Sequence, residues 1–156
     1  MRWRAEVCVV VLILSAFLSF RSLKHAKCLS VIREEAAKAG ATQPGPGGRS
    51  DPEQLAVVER AIMRLGIARS ERAVPALVVL LGHWDMAIRS HAAEALGRIQ
   101  DVRTVEPLIE LLEKATPATY APRKVASVAL WRITGKDHGM DPEAWRTGMG
   151  FSETAQ

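Results

Sequence analysis

From residue 51 onward, apolar residues recur at three- and four-residue steps in short bursts, and Gly, Pro and polar residues separate the bursts. That period is the signature of short amphipathic helices. The first is expected from Asp51-Pro52-Glu53 to Leu65-Gly66, with an acidic cap and proline in the opening turn. A partner is expected from about Ala73 to Leu81, ending at Gly82. A second pair spans Met86–Ile99 and Thr104–Lys114, and a further helix opens near Pro122 and runs to Ile133-Thr134. Pro75 and Pro107 fall in first turns, where a missing N–H costs least.

These bursts repeat. Shifted by 31 residues, Ala61 meets Ala92, Leu65-Gly66 meets Leu96-Gly97, Leu77 meets Leu108 and Leu80-Leu81 meets Leu111-Leu112. Shifted by 34, Ala95-Leu96 meets Ala129-Leu130 and Arg98-Ile99 meets Arg132-Ile133. The three extra residues fall in Lys114–Ala121, around Pro117. A period of this length defines a helical solenoid of stacked helix pairs. The fold class is therefore all-α: a short right-handed α-solenoid of about two and a half helix-pair repeats over 51–150, with 151–156 as a tail. Small residues such as Ala61, Ala92, Ala93, Ala95 and Ala126 would let neighbouring helices approach, and the leucines and valines would fill the space between them.

The first fifty residues follow a different pattern. Val7–Phe20 is an uncharged run of 14 residues, with Arg2 and Arg4 before it and Arg21, Lys24 and Lys27 after it. A basic start and a short apolar core describe a secretory signal. As a helix the run is about 21 Å long at 1.5 Å per residue, short against a hydrocarbon core of about 30 Å. Flanking Arg21, Lys24 and Trp3 would extend it. Cleavage after Ala16, Ser19 or Ser22 would put Leu14, Phe17 or Phe20 at −3, where a small residue is needed, so residues 1–22 read as an uncleaved signal anchor in preference to a removed peptide; a buried core helix is the alternative. The expected localisation is membrane-anchored through Val7–Phe20, or exported if the segment is cleaved. Residues 23–40 continue a helical pattern that would form a stalk, and 41–50, with two prolines and three glycines, form a linker. Cys8 and Cys28 on one helix would sit about 30 Å apart and could not bridge.

Charge changes the picture only when it is divided by region. The whole chain carries 21 Lys+Arg against 17 Asp+Glu. Residues 1–50 hold eight basic and three acidic residues, and residues 51–156 hold thirteen and fourteen. The repeat region is thus close to neutral, and the basicity belongs to the N-terminal segment. Nucleic acid is disfavoured as a partner on that ground, and also because the expected helix Thr104–Lys114 is acidic (Glu106, Glu110, Glu113) on the side solenoids use for binding.

The stretches Ala73-Val-Pro-Ala-Leu-Val-Val-Leu-Leu-Gly, Ile88-Arg-Ser-His-Ala-Ala-Glu-Ala-Leu-Gly-Arg-Ile and Asp101-Val-Arg-Thr-Val-Glu-Pro-Leu-Ile-Glu-Leu-Leu resemble HEAT repeats. The subtype is similar to the short bacterial one of phycobilisome-lyase-like proteins, and the resemblance covers about 55–134. It implies a protein-interaction scaffold, with a small accessory subunit or lyase-like enzyme as the alternative. It also implies that Asp101 and Arg103 make structural contacts between repeats. HEAT-repeat hydroxylases bind iron through His-Glu pairs, but here Ser90-His91 stands in that place and the Glu is missing.

No catalytic, cofactor-binding or metal-ligating constellation is expected. His91 with Glu94, and His138 with Asp137 and Asp141, offer too few ligands. No phosphate loop, nucleophile elbow or zinc spacing occurs. In His83-Trp84-Asp85, Asp85 is expected to cap the next helix, and Trp131 and Trp145 are expected to pack the C-terminal cap. The surface expected to meet a protein partner is that of Val79, His83, Trp84, Glu106, Glu110 and Glu113.

Overall fold

The computed structural model describes residues 22–38, 52–114 and 120–150; the linker, the tail and Val7–Phe20 lie outside the described residues. Residues 22–38 are helical (α1). There follow α2 (Pro52–Ile67), α3 (Val74–Leu80), α4 (Met86–Ile99), α5 (Val105–Glu113), α6 (Tyr120–Thr134) and α7 (Pro142–Met149). One-turn 3-10 segments at Glu71–Ala73 and Val102–Thr104 lead into α3 and α5. Among the described residues there is no strand.

The long helices α2, α4 and α6 stack side by side, α3 packs on α4, and α5 packs on α6 and α7. The core follows the repeat. Ile62 and Leu65 of α2, Ile88 and Leu96 of α4, and Leu130 of α6 are fully buried with Leu77, Leu80, Leu108 and Leu112 of the shorter helices. Glycine sets the stacking distance. A Cβ built on Gly66 would meet the Cα of Ala95 at 2.9 Å, and one on Gly97 would meet the Cα of Ala129 at 2.8 Å. Two steps of the repeat thus use one device, glycine against alanine. At the next equivalent position stands Trp131, about half exposed, with no further helix over it among the described residues.

The helices begin and end for local reasons. Asp85 Oδ1 accepts from the amides of Ala87 and Ile88, which caps α4, and Asp141 Oδ1 accepts from Glu143 and Ala144 at the start of α7. Such caps contribute about 1 kcal/mol each. Pro142 occupies the first turn of α7. Gly150 ends it with φ +78, a left-handed conformation that glycine adopts without a Cβ penalty. Trp145 is fully buried beneath this end, with its indole N–H donating to Gly139 O at 2.8 Å and its ring meeting His138 edge-on. Gly148 admits His138, whose ring lies where a Cβ on Gly148 would stand. Trp145 therefore packs the cap as expected, whereas Trp131 faces outward.

Two expectations for the N-terminal region are revised. Residues 23–40 were expected to form a stalk; in the described part of that segment Cys28, Leu29 and Ile32 are instead buried in the same core as α2 and α4. The spacing of these residues puts them on one side of α1, which makes α1 the lid on the first repeat. The thiol of Cys28 is free and buried there. Membrane localisation is corrected as well. Among the described residues no helix is long and apolar enough to cross a membrane. The helix carrying the flanking Lys24 and Lys27 turns its apolar side to the array.

Candidate interaction surface

The short helices present one row of repeat-equivalent positions. Val79 on α3 and Glu110 on α5 are 31 residues apart, the repeat offset, and both are exposed. Gly82 and Glu113 are likewise equivalent and exposed. In the first unit this row is apolar and in the second it is acidic. The acidic part is partly engaged within the chain. Arg146 of α7 donates to Glu106 at 3.1 Å and to Glu113, with Glu143 nearby at 3.8 Å. Those carboxylates hold the Arg146 guanidinium above its ordinary pKa, Glu113 first and then Glu106. Glu110, between the two on the same face, keeps its carboxylate toward solvent.

His83 does not belong to that surface. It is 1% exposed, with Nδ1 accepting from the Asp85 amide at 3.0 Å and Nε2 facing Glu35 Oε1 of α1 at 3.5 Å, long for a hydrogen bond. Its burial in the 81–85 loop removes it from contact with a partner and gives it a structural role against α1. Desolvation pushes its pKa below the ordinary value, and the nearby Glu35 opposes that push. Trp84 is half-buried and tilts over the His83 ring, with centroids 5.0 Å apart. Arg89 fastens the same loop, donating through Nη1 to His83 O at 2.7 Å and to Trp84 O at 2.9 Å. His25 of α1 also pairs with Ser70 Oγ at 2.8 Å, so α1 is tied to the array at two places. The spacing of Glu35 from Leu29 and Ile32 on α1 was the only sequence signal for this arrangement.

Asp101 and Arg103 form a clamp within one turn. Asp101 accepts from the Arg103 amide at 2.9 Å and from its guanidinium at 2.5 and 3.0 Å. The guanidinium holds the Asp101 carboxyl below the usual carboxylate range. Glu71, in the turn of the preceding unit, acts on Arg103 through charge.

The polar groups that could suggest chemistry are dispersed. His91 faces Glu59 across α2 and α4 at 3.7 Å, and Glu94 instead takes Arg98 at 2.8 Å. Asp137 accepts from the Gly139 amide and Asp141 caps α7, so neither converges with His138 on a common point. Among the described residues, no group of three or more His, Cys, Asp or Glu is placed to hold a metal ion.

Stacked long helices with small residues between them, shorter helices on one side and Asp-containing turns define an α-solenoid. The model of HEAT repeats matches residues 49–128, just over half of the chain. The chain belongs to the HEAT-repeat proteins. It is similar to the bilin biosynthesis protein PecE of Mastigocladus laminosus, 33% identical over 75 residues. That match covers 46% of this chain and 28% of the relative, so the chain spans well under a third of the protein it resembles. No solved structure gives a significant match.

Proposed function

We propose that the chain is a HEAT-repeat scaffold that binds a protein partner through the row formed by α3 and α5. The observation that carries this reading is the pairing of Val79 and Glu110, exposed at equivalent points of two stacked repeats. Solenoids bind through such repeated rows, because stacking fixes their spacing and offers an extended surface. Arg146 supports the row by holding Glu106 and Glu113 in place, which leaves Glu110 and Val79 as the groups a partner would meet. Trp84, half-buried at the end of α3, would flank it. His83 lies beneath the surface and positions the loop. The reading assigns no catalytic step to these residues.

The test is photocrosslinking from positions 79 and 110 in the full chain, in cells that make it. A discrete crosslinked product from these two positions is the expected result. Absence of a product from both, with product from the opposite edge, would assign binding elsewhere.

The likeness to PecE favours a second reading, an accessory component of a bilin-handling enzyme. A chromophore co-purifying at unit stoichiometry would support that reading over the scaffold.

A further inference from the structure

The C-terminal ends of α2, α4 and α6 come together around an open groove of about 410 Å³ on an edge of the array distinct from the Val79–Glu110 row. Its lining includes Arg69, Arg98, Arg132 and Gln100 over a floor at Gly66 and Gly97, and no acidic residue. Three arginines thus line one groove in a repeat region whose net charge is slightly negative. Arg98 shares its charge with Glu94; no carboxylate among the described residues lies within ion-pair distance of Arg69 or Arg132.

A second observation is independent of charge. Arg69 and Gln100 are the two non-glycine residues with positive φ among the described residues, at +48 and +62. They stand 31 residues apart, at equivalent places in two repeats. Glycine is the usual occupant of such a helix-ending position, and a long side chain there is held at an energetic cost. Both residues line the groove. Gln100 is held further by donating through Nε2 to Arg132 O at 2.9 Å. Arginines at helix C-termini also complement the helix dipole, but that effect does not require a left-handed arginine.

We infer that this groove binds an extended acidic segment of a protein, with Arg69, Arg98 and Arg132 each meeting a carboxylate. The spacing supports an extended chain over a single compact anion. Packed helices lie about 8–10 Å apart, and an extended chain in the polyproline II conformation advances about 9 Å in three residues, one full turn, so that every third side chain faces the same way. Carboxylates at every third residue would therefore meet successive helix ends, and the exposed side chain of Ile67 would take an apolar residue between them. Guanidinium forks suit carboxylates through paired N–H donors. The near-neutral array around the groove disfavours a long polyanion such as nucleic acid. The inference rests on the interaction-scaffold reading and adds a second surface to it.

The experiment uses the full chain and a labelled octapeptide with Glu at every third position and neutral residues between, followed by fluorescence anisotropy at low salt. Saturable binding that weakens with added salt is expected, and the matching Lys peptide should not bind. Arg69→Gly relieves the left-handed arginine, so its melting temperature should hold or rise; combined with Arg132→Gln it should weaken the peptide by about tenfold or more. Equal binding by this double variant would overturn the inference. So would tighter binding of a phosphopeptide or of a single-stranded oligonucleotide than of the Glu peptide. Failure of the parent chain to bind the Glu peptide, beside a crosslinked product from position 110, would sink the groove alone and leave the scaffold reading intact.

Discussion

Gly97 and Ala129 touch backbone to backbone: a Cβ on Gly97 would stand 2.7 Å from the Cβ of Ala129 and 2.8 Å from its Cα. The neighbour at that point is the next helix itself, so relief requires α4 and α6 to separate. Gly97→Ala should therefore destabilise the fold by about 1–3 kcal/mol, although alanine in a helix interior is intrinsically favoured by about 1 kcal/mol. Gly82→Ala is the control, since a Cβ there meets only Val79 O, at an ordinary 3.5 Å. Thermal melts should show a clear drop for the first substitution and almost none for the second.

The docking of α1 should respond to mild acid. Burial lowers the pKa of His83 in the folded chain, while the unfolded imidazole titrates near 6.5. Above about pH 6.5 the ring is neutral in both states and its contribution is constant. As pH falls below that point the unfolded chain takes up the proton first, and stability is lost until the folded ring also protonates. Once the intrinsic pH dependence of exchange is divided out, the protection of the amides in 22–38 should fall between pH 7 and pH 5.5 by more than that of α4. His83→Gln should flatten that difference.

Arg146 ties α7 to α5 through Glu106 and Glu113. Arg146→Ala should raise amide exchange in 142–149 while leaving α2 and α4 unchanged. Because these groups are exposed, added salt should produce part of the same effect in the parent chain. If exchange in α7 were unaltered, the guanidinium would be a surface group without a structural role.

Trp145 carries the C-terminal cap. Trp145→Ala should cost about 3–5 kcal/mol, because a fully buried ring and its bond to Gly139 O are both lost. Trp131→Ala removes a ring that is half exposed and should change the melting temperature little. A calorimetric comparison of the two variants separates the tryptophan that packs from the one that does not.

The repeat was legible in the sequence because its device is local and periodic. Gly66 and Gly97 recur at one offset with Leu before them, and the structure puts both against an alanine of the following helix. Capping by Asp85 and Asp141 was legible for the same reason, since a cap involves residues two or three apart. The place of α1 was harder to read. Cys28, Leu29, Ile32 and Glu35 share a helix side, but they follow a long apolar run and precede a Pro/Gly linker, which together suggested a stalk. The residues that tie α1 to the array, Ser70 for His25 and His83 for Glu35, lie more than forty positions away. His83 was misplaced because a polar loop gives no sign that another helix will cover it. The Arg146–Glu106 pair, separated by 40 positions, leaves no periodic trace at all.

The Val79–Glu110 row is proposed as a binding surface built on a stable array. Its most direct test is the affinity of a crosslink-identified partner for the parent chain and for the Val79→Asp/Glu110→Lys variant, with melting temperatures measured alongside. At least about a tenfold loss of affinity is expected, with the melting temperature unchanged. Equal affinity in a variant that melts normally would contradict it.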